Sequence, residues 1–291
     1  MAFVQAGFPE VRVVSLEENK GFCGGNNEGI RKSRGEWIKL LNNDTEVVPD
    51  YLAAIDRAIT LFPDAGMFAC KMFFFDSRGV IDNCGFSVSR AGTAQEIGRH
   101  EIDRGEHDTG LQPFGPSGGA AVYSRKLLEK VGLLDEDFFL IYSDVDLAMR
   151  ARVHGSRCYF VPEAVVYHKY RSTLADIPDW QVYYAQRNIE FTYLKNMPVG
   201  LILQSGLVHL LYDLGGLLYF ARKGLLRPFL RAKFQVIRRA PELWRRRGAI
   251  QSSRVLTTSE FGNLLAGTWL WYRVRKFLGS MGLPARQEYG A

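Results

Sequence analysis

Two groups of acidic residues stand at the ends of strand-like apolar runs that lie far apart in the sequence. Asn42-Asn43-Asp44 follows a run that ends at Leu41, and Ser143-Asp144-Val145-Asp146 follows the run 138–142. His168 ends a third apolar run. Side chains at strand ends can meet at one mouth of an α/β sheet. Carboxylates and an imidazole there could hold a divalent metal and supply a base, which suits group transfer from a phosphorylated donor.

The first acidic group has two interpretations. Oxygen ligands suit Mg²⁺ or Mn²⁺, so Asp44 is a candidate metal ligand and His168 a candidate partner for it. Asn and Asp are also favoured in turns, where they bond to their own backbone, so Asn42-Asn43-Asp44 could be a plain turn. A lone histidine is more often a hydrogen-bonded core residue than a ligand, and that alternative stays open for His168.

The second acidic group contains a predicted helix start. Ser143 and Asp146 have the spacing of a capping box, which gives Asp146 a structural role in the first turn. Asp144 is then free to face a cleft, where it could take a proton from an acceptor hydroxyl. Negative charge in a first turn also suits the helix dipole, so a purely structural role for both carboxylates remains open.

A third candidate is the glycine-rich segment Gly21-Phe22-Cys23-Gly24-Gly25-Asn26-Asn27. We predict a turn here that leads into a helix over 26–34, with backbone N–H groups able to approach phosphate or sugar. The segment is neither a dinucleotide fingerprint nor a P-loop, so it indicates neither a dehydrogenase nor a kinase.

The elements that must position these residues alternate between strand and helix. We predict strands over 11–16, 36–41, 66–75 and 118–123, with a helix from Pro49 to about Phe62. Such alternation is typical of an α/β fold with a mostly parallel, Rossmann-like sheet that is covered on both faces. Residues 76–115 are predicted as a loop or hairpin excursion, 157–168 as two short strands around Pro162, and 180–196 as a helix.

The charge is distributed unevenly along the 291 residues. Residues 1–194 carry 27 acidic and 21 basic side chains, and residues 195–291 carry 4 acidic and 16 basic ones. The run 199–221 is apolar but contains His209 and Asp213, so it is not a clean membrane span. The basic and aromatic residues that follow predict amphipathic helices on an anionic membrane. A helical bundle with a solvated basic face is the alternative. The stretch 261–278 repeats the pattern more weakly.

The four cysteines, Cys23, Cys70, Cys84 and Cys158, form no CxxC pair, which favours reduced thiols in the cytosol. The first nine residues lack a signal-peptide pattern. We therefore expect a cytoplasmic protein that lies at the inner face of the plasma membrane. A nucleic-acid-binding protein is disfavoured, because no recognition fold accompanies the basic tail.

Together these segments resemble the family 2 glycosyltransferases with the GT-A fold, particularly their rhamnosyltransferase-like branch. The resemblance covers nearly the whole chain, and it depends on the order and spacing of its motifs rather than on any single one. The matching segments are Glu18 to Asn27, Leu41-Asn42-Asn43-Asp44-Thr45, Gly118-Gly119-Ala120, Tyr142 to Leu147, Val161 to His168 and Gln186-Arg187-Asn188.

The resemblance implies an inverting transfer from a nucleotide-sugar donor to a glycan or lipid-linked acceptor. It makes Asp144 the expected base, and Asp44 with His168 the ligands of Mn²⁺ or Mg²⁺. It assigns donor or acceptor contacts to Gly24, Gly25, Asn27, Asn42, Asn43, Gly118, Gly119, Ala120 and Asp146. It also implies a catalytic domain over 1–196 and a helical, basic, membrane-associating region over 197–291.

The sequence departs from the family pattern at three places. Asn42 replaces an Asp, which lowers the charge at the metal, and Ser143 replaces a Glu beside the expected base. The strand predicted over 11–16 matches what is the third strand in the family. We therefore expect a GT-A sheet truncated at its N-terminus, without the strands that bind nucleotide. These departures keep a second hypothesis open, a non-catalytic remnant that acts as a membrane-associated binding protein.

Overall fold

The structure is a computed structural model that describes residues 2–169 and 177–266. The helices are α1 (Ala2–Gly7), α2 (Gly21–Lys32), α3 (Tyr51–Leu61), α4 (Arg125–Val131), α5 (Ser143–Val153), α6 (Asp179–Asn196), α7 (Val199–Arg222), α8 (Leu226–Ser252) and α9 (Thr258–Asn263). The strands are β1 (Trp37–Leu41), β2 (Thr45–Val47), β3 (Ala65–Phe74), β4 (Ser77–Asn83), β5 (Phe86–Val88), β6 (Ala94–Glu96), β7 (Ala120–Ser124) and β8 (Arg157–His168). A short 3₁₀ helix spans Glu136–Phe138.

The central sheet has the strand order β1-β7-β3-β8-β2, with β4 paired to β3 as well. The predicted α/β class is confirmed, but the prediction of a mostly parallel sheet is wrong. Within the described residues, β3 and β8 form the one parallel pair. Strands β1 and β3 do run in the same direction around α3, as predicted. The later strand β7 inserts between them and pairs antiparallel with both.

Nearly all residues of β3 are buried, which shows that this strand lies at the centre of the core. Side chains alternate across a strand. Met67 and Ala69 therefore pack on one face of the sheet with the residues of α5 and β7, while Phe68 and Cys70 pack on the other face against α3. All four cysteines are buried and free, as their dispersal predicts.

Two other local predictions are corrected by the structure. Residues 11–16 form no strand; they are exposed or half-buried, and extended residues become a strand only where a partner strand pairs with them. Residues 157–168 form one strand rather than two, because the register shift opposite Cys70 and Lys71 accommodates Pro162 without ending β8. The hairpin alternative for residues 76–115 is confirmed, since β5 and β6 pair antiparallel there and β4 pairs antiparallel with β3.

The last helices form a layer beside the sheet domain. Helix α6 packs against both α5 and α8. Helix α7 is long and apolar enough to cross a membrane by length and composition, and only 17% of its most apolar window is buried in the protein. Of the predicted apolar and basic stretch 261–278, the part from residue 267 onward lies outside the described residues.

Candidate active site

Asp44 and His168 meet at the end of the sheet. Strand β2 pairs antiparallel with the end of β8, and Thr45 lies opposite His168 in that register. Asp44 directly precedes Thr45, and its Oδ1 atom lies 3.5 Å from Nε2 of His168. The pairing of these two strands therefore brings together two candidate ligands that are far apart in the sequence.

The imidazole of His168 is oriented by a residue that the sequence analysis missed. Its Nδ1 atom lies 2.8 Å from Oδ2 of Asp82, a carboxylate in β4 that is 3% exposed. A histidine that binds a metal through one nitrogen usually donates its other N–H to such a carboxylate. Asp82 lay in the predicted excursion 76–115. The one available signal was a polar pair, Asp82-Asn83, directly after apolar Val80 and Ile81.

The chemistry of this cluster fits a divalent metal. Oδ1 of Asp44 is buried and has no hydrogen-bond partner within the described residues, although an unbonded carboxylate oxygen is costly to bury. A cation would satisfy that oxygen. Carboxylate oxygen and imidazole nitrogen together suit Mn²⁺ and similar ions.

Asp144 lies in the first turn of α5 and lines a cavity of about 330 Å³. Its Oδ2 accepts a hydrogen bond from the backbone N–H of Gly118 at 2.8 Å, and its Oδ1 accepts one from Val145 at 2.9 Å. Burial raises the pKa of Asp144 above its usual value, even though these two bonds act in the opposite direction. A carboxylate with a raised pKa at a cavity wall has the character of a general base.

The segment that leads into Asp144 has an unusual backbone. Phe139, Ile141 and Tyr142 all have positive φ angles, 62°, 57° and 69°. Such angles are rare for residues other than glycine, and strained residues of this kind persist only where their surroundings hold them. Asn188 does so from α6. Its Nδ2 atom lies 3.1 Å from the carbonyl oxygen of Phe138, and 2.8 Å from those of Leu140 and Ile141.

The segment Gly118-Gly119 lies between Asn42, at the end of β1, and Asp144. The backbone N–H of Asn42 donates to the carbonyl oxygen of Gly119 at 3.0 Å, while Gly118 bonds to Asp144. Both glycines line the cavity, and neighbouring Ala120 is buried at the start of β7. Asn42 is half-buried at the end of β1, and Asn43 is exposed in the turn that follows.

Two further polar residues of the cavity were missed by the sequence analysis. Gln95 and Glu96 of β6 line the same cavity as Asp144, and the charge of Glu96 also acts to raise the pKa of Asp144. Both lie in the excursion 76–115, whose short strands gave too weak a periodic pattern to predict their position.

The predicted capping box at α5 is wrong. The N-cap residue is Tyr142, with no side-chain capping bond, and Ser143 is already helical. Asp146 is fully buried and does not line the cavity. Its carboxylate accepts hydrogen bonds from Arg150 at 3.0 Å and Asn196 at 2.8 Å, and it pairs with Lys195 at 3.0 Å. These contacts give Asp146 a place in the interior between α5 and α6 rather than a contact with donor or acceptor.

The glycine-rich segment is helical rather than a turn, because α2 begins at Gly21. A positive φ of 67° at Gly21 lets the chain enter the helix where a Cβ atom would lie 2.5 Å from the carbonyl oxygen of Phe139. Gly24 is buried in α2, and Gly25 lines a separate groove between α2 and β1.

Asn27 is buried and holds α2 to the segment before α5. Its Nδ2 atom donates to the carbonyl oxygen of Leu134 at 2.8 Å and to Glu136 at 2.9 Å, and its Oδ1 atom accepts from the N–H of Leu134. These bonds occupy its polar atoms within the protein. The structure thus places Asn27 away from the cavity, and the predicted donor contact gains no support from its position.

Comparison with known proteins gives the family. The family described as glycosyltransferase like family 2 matches residues 1–188, about two thirds of the chain. The chain belongs to this family. The region of this family 2 glycosyltransferase that matches runs from α1 into α6, and it includes Asp44, Asp144 and His168.

Two curated relatives are similar to this family 2 glycosyltransferase over more than half its length. The succinoglycan biosynthesis protein ExoO of Rhizobium meliloti (strain 1021) is 30% identical over 175 residues, which is 55% of this chain and 45% of the relative. The O-antigen biosynthesis protein RfbC of Myxococcus xanthus is 29% identical over 178 residues, 56% of this chain and 13% of the relative. The chain thus spans less than half the length of these relatives.

A solved structure of GalNAc-T7 with UDP, GalNAc and Mn²⁺ has a similar fold. It superposes with a TM-score of 0.52 at 14% identity, over 67% of this chain and 38% of that one. This similarity extends the assignment to the fold of the sheet domain, which is that of the GT-A glycosyltransferases.

Proposed function

We propose that this protein is an inverting glycosyltransferase that moves a sugar from a nucleotide-sugar donor to a cell-surface glycan or a lipid-linked acceptor. The observation that carries the proposal is the position of Asp144, a carboxylate with a raised pKa at a cavity wall. The short segment Gly118-Gly119 links it to Asn42, which lies two residues before Asp44. Two relatives are named a succinoglycan biosynthesis protein and an O-antigen biosynthesis protein, which supports a polysaccharide or lipid-linked acceptor.

Asp44 and His168 would hold Mn²⁺ or Mg²⁺. When bound, the ion supplies positive charge that stabilises the departing diphosphate. The presence of UDP and Mn²⁺ in the GalNAc-T7 structure supports this choice of donor and ion. Asp82 would keep the imidazole of His168 oriented, with Nδ1 toward the carboxylate and Nε2 toward Asp44.

Asp144 would act as the base. An acceptor hydroxyl in the cavity gives its proton to this carboxylate, and the oxygen then attacks the anomeric carbon from the face opposite the leaving group, which inverts the centre. The N–H of Gly118 holds Oδ2 in place at 2.8 Å. Burial raises the pKa of Asp144, and a carboxylate with a raised pKa is a stronger base toward the acceptor hydroxyl.

The protein would work at the inner face of the plasma membrane, with the two regions that the sequence predicts in separate roles. Residues 1–196 would carry the reaction and 197–291 the membrane contact. Helix α7 exposes Leu203, Leu207, Leu211, Leu214 and Leu218, and α8 exposes Arg227, Arg231, Arg238 and Arg245. Apolar and basic surfaces side by side are typical of helices that lie on an anionic membrane.

The decisive test is the substitution Asp144→Asn in the whole protein. We expect transfer to be abolished, since the amide cannot take the proton, while the affinity for donor and Mn²⁺ changes little. Asp56→Asn, on an exposed position of α3, is the matched control and should transfer normally. Transfer is assayed first with nucleotide-activated rhamnose, because the sequence resembles the rhamnosyltransferase-like branch.

Two outcomes would count against the proposal. Unchanged turnover of Asp144→Asn would remove Asp144 as the base. Failure of the wild-type protein to bind any nucleotide sugar by calorimetry, with Mn²⁺ present and absent, would favour the non-catalytic remnant instead.

A further inference from the structure

One buried arginine of α8 has no carboxylate partner among the described residues, unlike other partly buried basic residues of that helix. Lys233 contacts Glu190 at 2.5 Å and Asp213 at 2.6 Å, and Arg239 contacts Asp137 at 2.8 Å. Arg247 is only 5% exposed, yet it pairs with no carboxylate in the part of the chain that the structure describes. A buried cation without a counter-charge is costly, so its position calls for a partner.

The guanidinium of Arg247 also keeps hydrogen-bonding capacity. Nη1 donates to the carbonyl oxygen of Leu194 at 2.9 Å, and this is its one hydrogen bond among residues 2–169 and 177–266. Arg152 is equally buried but donates to three carbonyl groups through Nε, Nη1 and Nη2. Burial and then the nearby charge of Arg254 lower the pKa of Arg247. Arg247 and Arg254 thus repel each other, and an anion would relieve that repulsion.

Both arginines line one cavity of about 320 Å³. It is formed by the C-terminal part of α8, the start of α9 and Val199, the first residue of α7. Trp244 also lines it and is 56% exposed, with its ring 5.1 Å from the guanidinium carbon of Arg247. No acidic residue is among the described residues that line this cavity. We call it the Arg247 pocket.

The chemistry of the Arg247 pocket indicates a phosphate group. Guanidinium groups bind phosphate oxygens through paired N–H donors, which a point-charge ammonium cannot reproduce. The exposed leucines of α7 begin at Leu203, one helical turn beyond Val199, and Val199 itself lines the pocket. A phosphate in the pocket could therefore be attached to hydrocarbon chains that lie along α7.

We propose that the Arg247 pocket binds the phosphate group of an anionic lipid. This site deepens the membrane association proposed above, and it rests on that association but not on glycosyl transfer. Trp244 fits this arrangement, because its amphipathic ring is suited to the level of the head groups. The pocket would hold the protein at a defined depth and orientation, with α7 against the acyl chains.

The test compares charge-conserving variants in flotation with phosphatidylcholine vesicles that contain phosphatidic acid. Arg254→Lys keeps the net charge but loses the paired donors, so we expect binding to weaken on the order of tenfold. The matched control is Arg245→Lys on the exposed face of α8, which should bind like wild type because general attraction depends on charge alone. Arg254 is half-buried, and thermal denaturation verifies that the variant is folded; Arg247→Lys is a second variant of the same kind.

Three results would overturn the proposal. Equal binding by wild type, Arg254→Lys and Arg245→Lys would leave a general electrostatic membrane contact and remove the pocket. Calorimetric binding of inorganic phosphate that Arg254→Lys weakens, without any effect of that variant on vesicle binding, would make it a small-anion site. A wild-type protein that binds no vesicles would remove both the pocket and the membrane association, while the transfer assay with a soluble acceptor would still judge the proposed activity separately.

Discussion

At the scale of single residues, the candidate active site depends on how its side chains are held. Asp82 contacts His168 at Nδ1, and Asn188 contacts the strained backbone before Asp144. Both residues are far from their partners in the sequence. Each acts through another residue, so its loss should change the geometry of the site rather than remove a reacting group.

Asp82→Ala should weaken Mn²⁺ binding by roughly 10- to 100-fold, because the imidazole of His168 loses the carboxylate that fixes its orientation. Titration calorimetry with Mn²⁺ alone measures this without any need for turnover. Asp76→Ala, in the exposed turn between β3 and β4, is the control and should bind Mn²⁺ like wild type. Equal Mn²⁺ affinity for Asp82→Ala and wild type would show that Asp82 does not orient a ligand.

Asn188→Leu should lower kcat by on the order of tenfold or more while KM for the donor changes little, since small displacements of a reacting group are costly. The change removes the hydrogen bonds to the carbonyl groups of Leu140 and Ile141 and lets the backbone before Asp144 relax. Steady-state kinetics of the folded variant measures it. Gln181→Leu, earlier on α6, should leave both constants unchanged, and a rise in KM alone for Asn188→Leu would argue against positioning of the base.

At the scale of elements, α7 is attached to the sheet domain by a buried polar cluster. His209 of α7 lies 2.9 Å from Glu190 of α6, and its other nitrogen contacts the carbonyl oxygen of Ala91 at 2.8 Å. Lys233 of α8 contacts Glu190 and Asp213. Glu190, His209 and Asp213 are residue types that bind metals and they lie close together, but the ammonium of Lys233 already provides a positive charge there. The polar residues that argued against a clean membrane span are therefore the ones that fasten α7.

Glu190→Gln should destabilise the protein by about 3 kcal/mol, because it removes the buried carboxylate that contacts both Lys233 and His209. Glu46→Gln, which breaks a half-exposed pair with Arg78, should cost less than about 1 kcal/mol. Urea unfolding of both variants gives the comparison. Similar free energies of unfolding for the two would mean that the cluster does not hold α7 to the domain.

At the scale of the whole molecule, an ion-pair network joins the helical layer to the sheet domain. Asp135, before the 3₁₀ helix, pairs with Lys195 of α6 and with Arg246 of α8, and Lys195 also contacts Asp146 of α5. Burial by itself would raise the pKa of Asp135. The charges and hydrogen bond of Lys195, together with Arg246, outweigh burial and lower the pKa from 3.8 to about 2. The network thus couples the docking of the helices to pH.

Acid should therefore weaken the whole fold through Asp135. A carboxyl group with a lowered pKa in the folded state contributes stability above its unfolded pKa of 3.8, and loses it as pH falls toward about 2. We expect a loss of roughly 2 kcal/mol in the free energy of unfolding over that interval. Asp135→Asn should be less stable than wild type at pH 7 and should show a flatter acid dependence, measured by urea unfolding at each pH.

The control for the acid dependence is Asp56→Asn on the exposed face of α3, which should keep the wild-type slope. A wild-type slope for Asp135→Asn would show that other carboxyl groups cause the acid sensitivity.

Local patterns in the sequence were enough to predict several elements and the candidate chemistry. Strong periodicity and turn residues predicted α3, α6, β1 and β3 within a few residues of their observed bounds. Residue type and position at predicted strand ends indicated Asp44, Asp144 and His168 as candidate site residues. These inferences work because apolar periodicity and turn preferences are properties of neighbouring residues, which the sequence shows directly.

Contacts between distant residues follow from the packing of the whole chain. The sequence could not show that β7 inserts between β1 and β3, because strand order depends on the packing of the whole sheet. Nor could it show that Asp82 orients His168, or that Asp146 is buried against Lys195 and Asn196. Each of these contacts joins residues at least 49 positions apart in the sequence. Such pairs form only after the chain has folded, and their energies depend on burial that no local pattern records.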